Sequence, residues 1–432
     1  MSHRLVAACH CWLAGSILLV NSLGVARAEN WPQWRGAKID GISHEKNLPT
    51  TFSPTEGVAW KLDLPGAAGS TPAVWDDRIY LTSVDTDKLV LICVSTAGKE
   101  LWRQTMATGN KDVRGDEGNS ASPSPCTDGK HVWAFFANGT LGCYTKDGQE
   151  VWKINVQDRY GKLNIAFGMT STPVLDNGRL YLQLIHGEGD PKTREAKVIC
   201  LDGLTGKEVW QHDRVSDGKA ECEHSYASPI LYRDDKQSYL ISHGADYVTA
   251  HSLDDGHELW RCGDLNPKGT YNNTLRFVAS PVAAEGIIVV PSAKNGPVFA
   301  LKADAKGDVT ENEAAYAWKR PKETPDVPSP LIVDGLVYLC RENGNLICMD
   351  AKTGEEYYNE RTTADRHRAS PVYADGKIYL CARKGVVTVV KAGKNFEILA
   401  KNDMVDTISS SPAISNGKIY LRTFKALYAV GK

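Results

Sequence analysis

Eight Ser/Thr-Pro pairs, each opening a short apolar run, divide this chain into repeats: Pro72, Pro123, Pro173, Pro229, Pro281, Pro330, Pro371 and Pro412. The successive intervals are 51, 50, 56, 52, 49, 41 and 41 residues, the size of a four-stranded propeller blade and too long for a leucine-rich or ankyrin unit. Within a repeat, β-rich runs alternate with turn chemistry. Ser370-Pro371-Val372-Tyr373 leads through Asp375-Gly376 into Lys377-Ile378-Tyr379-Leu380-Cys381. Val198–Asp202, the turn Leu204-Thr205-Gly206 and Glu208-Val209-Trp210 supply a third strand and an outer strand.

The two ends of the chain predict how the ring closes. After Pro412 there is room for the runs Lys418–Leu421 and Ala426–Val430 but not for a further outer strand, whereas Gly57–Leu62 reads as an outer strand lacking its three partners. The fold class is therefore all-β: an eight-bladed β-propeller of four-stranded antiparallel blades, closed by an N-terminal strand that completes the last blade. Such closure pairs the open edges that would otherwise invite aggregation. The expected division is a signal peptide over 1–28, an N-terminal extension over 29–56 and the propeller over 57–432. Arg4, the apolar run from Leu5 to Val20 and Ala26-Arg27-Ala28 form the export signal, which predicts a periplasmic or secreted protein with no membrane span in the mature chain.

One aromatic recurs per outer strand: Trp60, Trp102, Trp152, Trp210, Trp260 and Trp318, with Tyr358 in the same slot. Regular recurrence argues for structural wedges between blades rather than a stacking site for a cofactor. Cys93, Cys143, Cys200 and Cys348 share a third-strand slot with Ala250, Ala300 and Ala429, so the slot calls for a small buried side chain. Nine cysteines remain after the signal, an odd number that implies no disulfide framework. Cys222, with His224, and Cys262 lie in loops flanking the fourth blade, where a local disulfide or metal site is the alternative reading.

The formal charge of −2 offers no basic field, which argues against nucleic acid as a general partner. Zinc-protease, haem-attachment, nucleophile-elbow and phosphate-loop motifs are absent. The first-to-second and third-to-fourth turns are tight, and the irregular connections 103–120, 153–169, 185–195, 211–226 and 261–277 gather on the opposite face, where binding residues more often lie. Just before the inner strands on that face come Arg114, Asp116, Glu117, His224, Arg276, Asp326, His367, Arg368 and Asp406, which are predicted to ring the channel mouth and grip a polar ligand or partner segment. The long connections belong to the first five blades, so recognition is expected there and plain scaffold in blades six to eight.

The run Ser-Pro, Gly-Lys-Ile-Tyr-Leu, Ala-Lys-Thr-Gly or Leu-Thr-Gly, then Glu-Val-Trp resembles the pyrroloquinoline-quinone-like (quinoprotein-type) propeller family, and Asn30–Gly36 followed by Asp40-Gly41 is similar to the segment that precedes the propeller in many members. The resemblance implies one of two functions. Quinoprotein dehydrogenases bind pyrroloquinoline quinone and usually calcium at the ring centre; cofactor-free relatives, such as the outer-membrane assembly lipoprotein, serve as scaffolds. This chain has no adjacent cysteine pair, has short loops, and offers no matching local motif for calcium ligands or a catalytic aspartate, so no catalytic residue is carried over. The expected function is thus a monomeric binding or scaffold propeller with no cofactor, meeting an envelope protein, peptide or polar ligand through its loop face. The alternative is a small quinone-dependent oxidoreductase of alcohols or sugars, with calcium as Lewis acid.

Overall fold

A computed structural model describes Met1 and residues 29–114, 117–187, 196–284 and 286–431. The expected export signal lies outside the described residues, among which no helix is long and apolar enough to cross a membrane. The chain forms eight four-stranded antiparallel blades, the first from Ala73–Trp75, Arg78–Asp85, Lys88–Ser95 and Glu100–Thr108 and the last from Ala413–Ser415, Lys418–Arg422, Ala426–Val430 and the N-terminal Val58–Asp63. Val58 lies opposite Val430 and Asp63 opposite Ala426, so the ring closes by antiparallel pairing of the chain's two ends.

The Ser/Thr-Pro repeat has a specific physical role at the ring's centre. The backbone N–H of Thr71 donates to Ser124 Oγ at 2.9 Å, Ser124 to Thr172 Oγ1 at 3.1 Å, Thr172 to Ser228 Oγ at 2.9 Å and Ser228 to Ser280 Oγ at 2.8 Å. The belt continues from Ser280 to Ser329 Oγ at 2.9 Å, from Ser329 to Ser370 Oγ at 2.9 Å and from Ser370 to Ser411 Oγ at 3.0 Å. In these seven joints the hydroxyl satisfies the amide of the blade before it, and the proline that follows every belt residue removes the next N–H, which would otherwise need a partner in the same crowded space. The belt also corrects the register of the second repeat. Its belt residue is Ser124, followed by Pro125 and the strand Cys126–Thr127, so the blade opens two residues after the Ser122-Pro123 pair.

A second joint holds the blades at their rims. Trp102 Nε1 donates to Lys146 O at 2.8 Å, Trp152 to Gly203 O at 2.8 Å, Trp210 to Leu253 O at 3.1 Å and Trp318 to Ala351 O at 2.9 Å, each acceptor lying in the outer turn of the next blade. Trp60 makes the same bond across the closure, to Thr96 O at 2.8 Å. The turn glycine lies against the ring: a Cβ on Gly256, whose φ is +79°, would sit 2.4 Å from Trp210. Within its own blade each tryptophan lies opposite the small-residue slot, Trp102 across from Cys93, Trp152 from Cys143, Trp210 from Cys200 and Trp260 from Ala250. A register shift sits beside this pair in every blade. Blade seven inverts the pair, with Val389 opposite Ala400. The nine described cysteines are buried and free, and Cys222 Sγ donates to Asn272 O at 3.2 Å.

The extension seals one end of the ring. Trp31 pairs with Val74 through bonds of 2.9 and 2.7 Å, Pro32 O accepts from Thr127 N at 2.8 Å, and Gln33 Oε1 accepts from Leu175 N at 2.9 Å. The segment then crosses the ring: Arg35 donates to Pro330 O at 2.6 Å, Ile42–Ser43 run parallel to Tyr373–Ala374, and Glu45 accepts from Asn416 N and Gly417 N at 3.1 Å. It thereby caps inner strand edges of blades one, two, three and seven and the first turn of blade eight.

Belt chemistry predicts the outcome of two substitutions. Ser280→Ala strips the acceptor from the Ser228 amide and is expected to lower unfolding free energy by about 1–3 kcal/mol, whereas Ser280→Thr, which copies Thr71 and Thr172, should change it by less than about 0.5 kcal/mol. Equilibrium denaturation of the three proteins measures both.

Candidate functional site

Because the inner strands start at the belt and run toward the end crossed by the extension, the channel is a cup that opens on the loop face. Its volume is about 420 Å³, within the range of ligand pockets. All eight belt hydroxyls line it, and Trp34 of the extension contributes to its floor. Arg35, wholly buried beneath, has its pKa drawn down to about 10 by loss of solvent.

The mouth is built from connections of opposite blades. Asp112–Val113 pairs antiparallel with Gly118–Asn119, making a small hairpin between blades one and two. Asn119 Nδ2 fixes it to Ala67 O at 2.6 Å, and its Oδ1 accepts from Ala121 N at 3.0 Å. At the tip, Glu117 reaches across the mouth to the connection between blades six and seven, accepting from Arg366 Nη1 at 3.2 Å and from Arg368 Nη2 at 2.5 Å. Arg366 Nε also donates to Glu342 Oε1 at 2.5 Å. Burial lowers the pKa of Arg368 while the Glu117 charge counters it.

On the other wall, Phe167 carries two cations. The guanidinium carbon of Arg114 lies 4.2 Å from its ring centroid and that of Arg276 lies 4.4 Å away. Arg276 Nη1 also donates to Glu221 Oε2 at 2.6 Å. Phe167 is placed by its N–H, which donates to the Tyr226 hydroxyl at 3.3 Å, and by the Tyr226 ring at 6.0 Å. Lys294 and Asp326 complete the wall; Asp326 Oδ1 accepts from Lys294 N at 3.1 Å, and burial holds its carboxyl above the usual range. A second cavity of about 470 Å³ lies between the hairpin and the 157–168 loop, sharing Val113, Arg114 and Phe167 with the first. Together they form an elongated trough.

Of the residues expected at the mouth, Arg114, Glu117, Arg276, Asp326 and Arg368 line the cavity. Asp116 lies outside the described residues. The other three stand elsewhere. His224 is buried, its Nε2 2.7 Å from Gly187 O. His367 has no exposed surface, because residues alternate in direction along its extended segment and its neighbours Arg366 and Arg368 take the open side. Asp406 holds a loop together, accepting from Thr407 N at 2.8 Å and Lys425 N at 2.9 Å. Sequence reasoning missed Trp34, Phe167, Tyr226, Lys294, Glu342 and Arg366. The Arg366-His367-Arg368 alternation was a usable signal for Arg366. Blades six and seven were expected to be plain scaffold, yet they supply Glu342, Arg366 and Arg368.

With this geometry in view, the chain can be set beside known proteins. A protein-family model described as outer membrane protein assembly factor BamB matches residues 50–189 and 87–360. The chain belongs to that family. Matches in two overlapping phases are what a repeating blade produces. Among solved structures, this BamB-family propeller superposes on BamB from Moraxella catarrhalis with TM-score 0.62 at 12% identity, covering 86% of this chain and 99% of that one. It superposes on the quinohemoprotein alcohol dehydrogenase of Comamonas testosteroni with TM-score 0.67 at 12% identity, covering 93% and 81%, and on Sqt1 of Saccharomyces cerevisiae with TM-score 0.61 at 10% identity, covering 90% and 100%. Such likeness establishes the fold and does not choose among functions. A polyvinylalcohol dehydrogenase of a Pseudomonas species is 23% identical over 203 residues, 44% of this chain and 30% of that protein's length.

A quinone held by calcium would make two demands on the cup. Trp34 offers a flat aromatic surface, but a hard cation needs several converging oxygens. The wall carboxylates Glu117 and Glu342 are both paired with arginine, and among the described residues no three His, Cys, Asp or Glu side chains gather as a metal site. The donor set does not fit that pair of groups.

The buried histidines set an acid limit on the fold. Burial lowers His186 and His367 to about 4 and His243 and His251 to about 3. Their folded pKa values lie below the unfolded value, so the unfolded chain takes up more protons as pH falls from about 6.5 toward 4, and stability drops across that window. His367 alone is expected to account for about 2–3 kcal/mol of the loss between pH 7 and 4.5. Denaturation curves of the parent and His367→Asn should show a shallower pH dependence in the variant.

Proposed function

We propose that this protein is a non-enzymatic binding propeller of the cell envelope, which holds a partner through the cationic cleft on its loop face. The observation that carries the reading is the chemistry of the mouth: Glu117 and Glu342 are engaged by Arg366 and Arg368, which leaves Asp326, bonded to the Lys294 backbone N–H, outside the arginine pairs. What converges on the open side is basic and aromatic, which suits recognition more than bond breaking. Membership of the family described as an outer membrane assembly factor supports the same reading. Export to the periplasm or beyond and a monomeric state belong to this proposal.

The second reading is a small oxidoreductase using pyrroloquinoline quinone, favoured by the partial match to a polyvinylalcohol dehydrogenase. If bound, the quinone would supply a two-electron acceptor for alcohol oxidation. The lack of a carboxylate cluster among the described residues argues against it.

Calorimetric titration of the mature protein with pyrroloquinoline quinone, with and without calcium, separates the two. The binding reading expects no calcium-dependent association and no dye reduction with alcohols or sugars. Calcium-dependent one-to-one binding accompanied by dye reduction would overturn it.

A further inference from the structure

We infer that the cleft receives an acidic, extended segment of a partner chain, with neighbouring carboxylates seated on Arg114 and Arg276 and on the Arg366–Arg368 pair. The inference rests on the binding reading above and specifies its ligand. Five basic side chains on the cavity wall, Arg114, Arg276, Lys294, Arg366 and Arg368, face three carboxylates, Glu117, Asp326 and Glu342, although the whole chain carries a formal charge of −2. With Glu221, paired to Arg276, the acidic side chains number four against five basic ones, and the local sign is still opposite to the global one.

Two cations held over one phenyl ring repel each other; Glu221 already pairs with Arg276 at 2.6 Å, and an anion reaching Arg114 relieves the repulsion that remains. A guanidinium lying over an aromatic face keeps its N–H groups directed outward in its own plane, the orientation that accepts a carboxylate through paired hydrogen bonds. The opposite wall already displays how it holds such a group. Glu117 bridges Arg366 and Arg368 from a hairpin tip five blades earlier in the chain, and an incoming carboxylate takes the same donors once Glu117 swings aside. The trough accounts for an extended segment rather than a compact acid: its two cavities, of about 420 and 470 Å³, meet at Val113, Arg114 and Phe167. Its basic surface also steers an acidic segment toward the mouth, an attraction that salt weakens.

The probe is fluorescein-labelled hexaglutamate, followed by fluorescence polarisation on the mature protein, with hexaglutamine as the neutral control and free tricarballylate as competitor. Hexaglutamate is expected to bind and hexaglutamine not, with affinity falling at least about fivefold between 50 and 300 mM salt. Arg276→Gln should weaken binding about tenfold or more. Glu117→Gln should tighten it several-fold by freeing Arg366 and Arg368, a gain that partial unfolding cannot imitate. Equal binding of both peptides, no binding of hexaglutamate, or no tightening in Glu117→Gln overturns the inference. Competition by tricarballylate as strong per carboxylate as by hexaglutamate overturns the assignment to a chain segment and points to a free small acid. Loss of this inference while calcium-dependent quinone binding also stays absent leaves the non-enzymatic reading standing.

Discussion

The hydroxyl belt is the interaction on which the remainder of the molecule depends. An eight-bladed ring brings eight chain segments to its axis, and each arrives with backbone groups that cannot pair inside its own sheet. Passing the amide of one blade to the hydroxyl of the next satisfies these groups and fixes the angular spacing of the blades at once. The proline after each hydroxyl removes the donor that the geometry could not serve. A narrow polar cup follows from this arrangement, because small hydroxyl residues at the centre leave space that larger side chains would fill.

The rim obeys a complementary rule of volume. A tryptophan opposite a cysteine or alanine, with a glycine of the next blade against its ring, fills the gap that widens away from the axis. Blade seven shows that the rule concerns volume rather than identity, since a larger Val389 there faces a small Ala400. Both joints recur with the repeat, and this is why the fold was legible in the sequence: periodic physical demands leave periodic residues. The one slip in register, Pro123 for Pro125, arose because Ser122-Pro123-Ser124-Pro125 presents the same signal twice and only the belt distinguishes them.

The candidate site was legible only in part. Charges before the inner strands pointed to Arg114, Glu117, Arg276, Asp326 and Arg368, since loops on one face must converge at the mouth of a ring. Direction along an extended segment was not readable, so His367 was placed in the open when it lies in the interior. Phe167 and Tyr226 gave no warning, because the importance of Phe167 comes from the cations stacked on it across long stretches of chain and that of Tyr226 from holding Phe167 in place. Trp34 was visible as part of a conspicuous N-terminal run, but only the path of the extension over the ring assigns it to the floor. The cleft that results is basic, aromatic and closed below, and two of its three carboxylates, Glu117 and Glu342, are committed to arginine partners. Those features join the family relationship and the cleft chemistry in a single account, with the ring as a rigid frame and recognition confined to the loops on its open face.

Amide hydrogen exchange at the belt tests the core of this account. The amides of Ser228, Ser280 and Ser329 lie beside an open cavity, yet each is bonded to the hydroxyl of the next blade. If the belt holds the ring, they exchange only through global unfolding, as slowly as amides in the middle strands of the blades. Exchange at the rate of the mouth loops would contradict it, showing that the blades are held by their rims and that the hydroxyls merely line the cup.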